Sequence, residues 1–183
     1  MNLTKITAGK KAPQEVNVVI EIPQGSGVKY EFDEKIDAIE VDRFIGVASV
    51  YPFNYGFIPM TLISDGDPLD VMVLSSMPVV PGVIIRCRPI GLLEMEDEHG
   101  VDIKILAVPA KGIDPFYDYI KELSEVDKST LERIRLFFKQ YKELELGRWS
   151  KVNNFSNRQQ ALKVIKVALN NFQNQEKKLP KRK

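Results

Sequence analysis

Eight prolines, at 52, 59, 68, 78, 81, 89, 109 and 115, punctuate the stretch from residue 50 to residue 120. Each fixes φ and removes a backbone donor, so together they cut this region into short pieces. The pieces between and before them are rich in β-branched residues. Val16 to Ile22 is one compact run, closed by Pro23. After the turn Gln24-Gly25-Ser26-Gly27, the segment Val28-Lys29-Tyr30-Glu31-Phe32 alternates apolar and charged residues. Further strands are expected at Ile39–Val41, Ile45–Val50, Val71–Leu74, Val83–Met95 and Val101–Val108. In the last, Val101, Ile103 and Ile105 alternate with Asp102 and Lys104, so those two charges project together. Short strands with many turns predict a small closed or nearly closed β-barrel.

The final third changes period. Leu131, Ile134, Phe138 and Tyr141 recur at spacings of three and four, the stripe of an amphipathic helix, with Ser129 or Thr130 as its N-cap. A second helix is expected from about Ser156 to Asn171. The basic run Lys177 to Lys183 reads as a solvated, frayed end from about residue 175. With no repeat and no linker, 183 residues suit one domain, 1–183. Net charge is +1, from 26 basic and 25 acidic residues, which argues against a domain built mainly to hold nucleic acid. The single cysteine, Cys87, permits no intrachain disulfide, which fits a reducing cytoplasm. Cys87 shares its strand face with Val83 and Ile85 and reads as a small buried hydrophobe. No segment reads as a secretory signal, and no apolar run is long enough to span a bilayer.

Three aspartates, Asp65, Asp67 and Asp70, stand within the run Ser64-Asp65-Gly66-Asp67-Pro68-Leu69-Asp70-Val71. Asp97 and Asp102 can join them. Carboxylates crowded in this way repel one another unless a cation sits among them. With no Cys nearby and His99 alone, the cation is expected to be hard, and Mg²⁺ is the first hypothesis. The competing reading is a polar turn, since Asp, Gly and Pro make turns for local reasons. Asp70 tips the balance, because it stands at the mouth of an apolar strand where a bare carboxylate needs a partner. A calcium loop of EF-hand type fails on spacing, with Ser76 where its Glu should stand. His99 reads as an exposed turn residue, and Glu96 and Glu98 as a solvated hairpin tip. Lys29, Arg43, Lys104 and Lys142 can neutralise phosphate oxygens, and Tyr51, Tyr55 and Tyr141 can donate from rigid rings. Each is, taken singly, an ordinary surface charge or core aromatic; only convergence in one pocket would make them a site.

The run Asp65-Gly66-Asp67-Pro68-Leu69-Asp70-Val71 resembles the signature of the soluble family I inorganic pyrophosphatases. The resemblance extends from about Ala12 to Asn171 and takes in Val19-Ile20-Glu21-Ile22-Pro23, Lys29-Tyr30-Glu31, Val41-Asp42-Arg43, Tyr51-Pro52-Phe53-Asn54-Tyr55-Gly56, Pro81-Gly82, Asp97 through Lys104, and Tyr141-Lys142. The short length resembles the bacterial form. The resemblance implies a mainly β protein with α, in which a five-stranded OB-type barrel carries two or more C-terminal helices. It implies that Asp65, Asp70 and Asp102 hold the tightest Mg²⁺, and that Asp70 also touches a second. Asp97 with Asp102, and Glu31, would hold metals arriving with substrate, with Mn²⁺ or Zn²⁺ as substitutes. Lys29, Arg43, Tyr55, Lys104, Tyr141 and Lys142 would grip the two phosphoryl groups, Glu21 and Tyr51 would support them, and Asp67 would take the proton of the attacking water. The implied reaction is hydrolysis of pyrophosphate to two phosphates, by a homohexamer without nucleic-acid or membrane partners. The chain departs from the family in having Gly147-Arg148-Trp149 where Gly-Lys-Trp is usual, and in having too few histidines for the histidine-rich subunit contacts of some bacterial members. Two other classes compete: a barrel that binds single-stranded nucleic acid, and a catalytically silent cation binder.

Overall fold

A computed structural model describes residues 3–64 and 66–178. Its strands are β1 (Val16–Ile22), β2 (Val28–Asp33), β3 (Ala38–Phe44), β4 (Asn54–Ile58), β5 (Leu69–Val73), β6 (Ile84–Asp97), β7 (Gly100–Pro109) and β8 (Ser150–Asn157). The helices are α1 (Lys128–Gln140) and α2 (Arg158–Lys178), with short 3₁₀ turns elsewhere. The main sheet runs β1-β4-β5-β7-β6-β8, and β1 also pairs with β6, which closes β1, β4, β5, β7 and β6 into a five-stranded ring. Only β5 and β7 are parallel in it. The architecture is mainly β with two helices: a closed barrel, as the prolines and short strands predict, and of OB type, as the family resemblance implies. β2 and β3 form a separate antiparallel hairpin.

Closure depends on β6, which pairs with β7 along most of its length and with two further strands. Its first part pairs with β1 and its last part with β8. Between them, Pro89 and Gly91 flank a shift in register against β7. A proline that withholds a donor and a glycine without a Cβ let the strand bend there. Gly56 in β4 meets a stricter demand: a Cβ on it would lie 1.8 Å from the Val19 carbonyl oxygen of β1. Alternate strand residues feed two apolar clusters. Met72, Leu93, Met95 and Leu106 pack with Ile134, Phe137 and Phe138 of α1. Val71, Val73, Leu92, Ile105 and Cys87 pack with Ala161, Ile165 and Ala168 of α2. Cys87 is buried as expected, and burial pushes its thiol far above the usual range.

Several local expectations need correction. Ile45–Val50 is not a strand; it is an irregular connection around Gly46, held to the β1–β2 turn by Ile45 N–H to Gly27 O and Tyr51 N–H to Ser26 O. The cap of α1 is Asp127, whose carboxylate accepts from Thr130 N at 2.8 Å, and neither Ser129 nor Thr130 takes that place. A carboxylate at that position also meets the positive end of the helix dipole. α2 begins at Arg158 and continues to Lys178; the remaining tail, 179–183, lies outside the described residues. Among the described residues no helix is long and apolar enough to cross a membrane.

Candidate active site

The strand face that packs on α1 becomes polar towards one end of the barrel. On β5, Met72 is preceded by Asp70. On β7, Leu106 is preceded by Lys104 and Asp102. On β6, Leu93 and Met95 are followed by Asp97, and the register sets Met95 opposite Asp102 and Leu93 opposite Lys104. A period of two therefore carries three adjacent strands from apolar to charged on the same face. β4 adds Tyr55, opposite Met72. The β2–β3 hairpin forms another wall, with Lys29 opposite Arg43. Tyr141 caps α1 and Lys142 follows it. The loop from β4 to β5 brings Asp67; its neck is tied by Thr61 Oγ1, which accepts from Leu69 N at 2.9 Å, and Gly66 turns at φ +98°.

Together these elements enclose a cleft of about 740 Å³. Glu21, Lys29, Glu31, Arg43, Tyr51 and Tyr55 line it from β1 to β4. Asp67, Asp70, Asp97, Asp102, Lys104, Tyr141 and Lys142 line the rest. Asp65 lies outside the described residues. Every other residue singled out from the sequence as a site candidate thus converges on one cavity, although its members span residues 21 to 142.

The Lys and Arg cations of the cleft are paired with carboxylates. Lys104 Nζ stands 2.5 Å from both Asp70 Oδ2 and Asp102 Oδ1. Lys142 Nζ donates to Asp97 Oδ2 at 2.8 Å and to Glu98 at 3.1 Å. Lys29 pairs with Glu31, and with Asp42 at 3.1 Å. Arg43 pairs with Asp42 through Nη1 and with Glu145 through Nε at 2.8 Å. Burial works against the charge of Lys104, but Asp70 and Asp102 outweigh it and hold the ammonium protonated well above the usual lysine range. Asp97 shows the same contest with the opposite sign: burial disfavours its charge, and the bonds from Lys142 and the His99 amide bring it below the usual carboxylate range. Glu21 makes no ion pair among the described residues, and the charge of Lys29 opposes its shift only in part. Burial and then the charge of Asp70 push it up to about 8, although the Phe32 amide donates to it at 2.8 Å. Burial, partly offset by Lys104, also raises Asp102. Burial raises Tyr51, Tyr55 and Tyr141, which keeps their hydroxyls protonated as donors.

A profile of the inorganic pyrophosphatase family matches residues 18–173. The inorganic pyrophosphatase of Aquifex pyrophilus is 52% identical over 172 residues, covering 94% of this chain and 97% of that one. That of Saccharolobus solfataricus is 48% identical over 165 residues, covering 90% and 96%. The crystal structure of the inorganic pyrophosphatase from Thermus thermophilus aligns with a TM-score of 0.91 at 43% identity, over 94% of this chain and 99% of that one. The chain belongs to the family I inorganic pyrophosphatases. It is accordingly an enzyme of the diphosphatase class of hydrolases.

Some features of this pyrophosphatase cleft escape a reading of the sequence. Glu98, expected at a solvated hairpin tip, instead accepts from Lys142 and from Trp149 N. The tip expectation does describe His99, whose side chain is mostly exposed. Asp42 carries a signal, its place between β-residues beside Arg43; Glu145 carries none, since it meets Arg43 across 102 residues of chain. Arg148, the departure from the family pattern, lies at the cleft and pairs with Glu145 at 3.3 Å. Among the described residues no three acidic, His or Cys side chains are gathered round one point. Asp70 and Asp102 share one cation, Lys104, which stands 2.5 Å from each. The donor chemistry nevertheless fits a hard divalent ion: among the described residues, the side chains in the cleft able to ligate one are carboxylates and hydroxyls, with His99 the single nitrogen heterocycle.

Proposed function

We propose that this pyrophosphatase hydrolyses inorganic pyrophosphate to two phosphates by in-line attack of water, with Mg²⁺ as its working ion and Mn²⁺ or Zn²⁺ as substitutes. One observation carries the reading: among the described residues, nine acidic side chains, of which Glu21 alone is raised to about 8, face five Lys and Arg cations in a single cleft. Pyrophosphate brings up to about four further negative charges, so this lining cannot receive it without added cations. Bound Mg²⁺ neutralises phosphate oxygens and acidifies a water near neutral pH.

The chain's own groups supply the rest. Asp65, Asp70 and Asp102 are the proposed carboxylates for the tightest ion, with Asp97 and Glu31 holding ions that enter with substrate. As those charges are met, Lys104 and Lys142 exchange carboxylate partners for phosphate oxygens. Lys29, Arg43, Tyr55 and Tyr141 complete the grip, and Glu21 and Tyr51 support it from below. Asp67 accepts the proton of the attacking water. As the new P–O bond forms, the bridging P–O bond breaks and its electron pair stays with the departing phosphate, whose charge the Lys, Arg and Tyr donors stabilise. The chain is read as one domain acting as a homohexamer in the cytoplasm. Support for self-association comes from the family and from exposed apolar side chains such as Met77, Val80 and Phe116. Nucleic acid is disfavoured as a partner because the same carboxylates repel a phosphodiester strand.

Soaking crystals with Mn²⁺ and methylenediphosphonate tests the assignment. Metal density touching Asp70 and Asp102, with Lys104 turned to the diphosphonate, is the expected result. Density confined to other surfaces would overturn it.

A further inference from the structure

Arg43 is one of the proposed phosphate-binding groups, and its side chain lines the cleft. Glu145 does not line it. It stands on the connection between α1 and β8, and its Oε1 accepts from Arg43 Nε at 2.8 Å. Both side chains are largely shielded, at 17% and 18% exposure. The guanidinium is thus held along one edge by a carboxylate outside the cleft, while Asp42 of its own strand takes Nη1. An unanchored arginine gives up rotamer entropy each time it binds, and these two carboxylates limit that loss.

We infer that Glu145 is a positioning residue for pyrophosphate: it orients Arg43 and, through that bond, fastens the β2–β3 hairpin to the segment that carries Tyr141 and Lys142. The proposal rests on the reading of Arg43 as a substrate contact. Two walls of the cleft, each bearing cations, are joined by this pair. The β2–β3 hairpin lies outside the barrel sheet, so a side-chain bond of this kind contributes to keeping the two walls in register. Glu145 also meets Arg148 through Oε2 at 3.3 Å, so both of its oxygens are engaged and its own orientation is fixed.

The test compares Glu145→Ala and Glu145→Gln with the parent enzyme and with Arg43→Gln. KM for Mg-pyrophosphate should rise about tenfold in Glu145→Ala with kcat within about threefold of the parent, as expected for loss of one charge-assisted orienting bond. Glu145→Gln, which keeps an acceptor, should recover part of that loss. In an Arg43→Gln background, Glu145→Ala should add nothing, because the group it orients is gone. Calorimetric binding of methylenediphosphonate should weaken in parallel. An unchanged KM, or the same additional loss with and without Arg43, would overturn the proposal. Should Glu145→Ala not fold, Glu145→Asp, which withdraws the carboxylate by one methylene, gives the same comparison. Absence of turnover in the parent enzyme would instead contradict the functional reading itself.

Discussion

At the scale of single residues, the site candidates were legible because their chemistry does not suit their surroundings. Asp70 opens an apolar strand, and Asp102 and Lys104 share one face of another. Burying such groups costs free energy unless they are paired, and the structure pairs them. Glu98 and Glu145 were illegible for the opposite reason: nothing local distinguishes a surface acid from one that meets a cation far along the chain. Asp67→Asn keeps the shape and removes the proton acceptor, so turnover should fall on the order of a hundred-fold or more while the circular dichroism spectrum stays that of the parent. A near-normal rate would refute Asp67 as the base. Glu21 gives a pH signature. Its carboxyl is raised from 4.5 to about 8, so between those values the folded chain holds a proton that the unfolded chain releases. Stability therefore falls as pH rises through that window. Asp42, Asp97 and Glu98 are lowered, and their losses come in acid, below the window. With divalent ions chelated, Glu21→Gln should gain in melting temperature on the parent steadily from about pH 5 to about pH 8. An offset that does not change with pH would count against this account.

At the scale of elements, legibility followed propensity. β1, β5 and β7 are β-branched runs and declare themselves. β8 is Ser-Lys-Val-Asn-Asn-Phe-Ser-Asn, a poor strand former that exists because the far part of β6 offers it a partner. β4 contains Asn54 and Gly56, both disfavoured in strands, and both needed where they stand. Asn54 is fully buried: its Oδ1 accepts from Gln24 N and Val79 N, and its Nδ2 donates to Ser75 Oγ and Met77 O. Its side chain thereby ties the turn after β1, β4 itself and the loop after β5. Gly56 is needed because β1 crosses where a Cβ would be, 1.8 Å from a carbonyl oxygen. Gly56→Ala must separate β4 from β1 beside Tyr55, at a cost of at least about 3 kcal/mol. Chemical denaturation should show either that loss or failure to fold; a change within about 0.5 kcal/mol would mean that the β1–β4 pairing is not as described.

The whole molecule brings together what neither residues nor elements determine alone. Strand lengths and prolines indicated a barrel, but the closing β1–β6 pair and the turn of β6 at Pro89 and Gly91 arise only from long-range pairing. The equally long-range β5–β7 and β7–β6 pairings set those three strands side by side, so three separate acidic positions become one cleft. An excess of carboxylates there leaves the folded chain short of positive charge, and Mg²⁺ should stabilise it. At a hundred times Kd the gain should be about 2.7 kcal/mol, read as a higher melting temperature that chelation reverses. Sedimentation should give six times the monomer mass, and a monomer at micromolar concentration would remove the hexamer from the proposal. Whether this cleft hydrolyses pyrophosphate with the help of divalent ions is decided by measuring phosphate release from pyrophosphate by the purified enzyme. Rapid release with Mg²⁺, loss of it on chelation, and recovery when Mg²⁺ is restored is the predicted result. No release in the presence of Mg²⁺, or an equal rate after its complete removal, would contradict it.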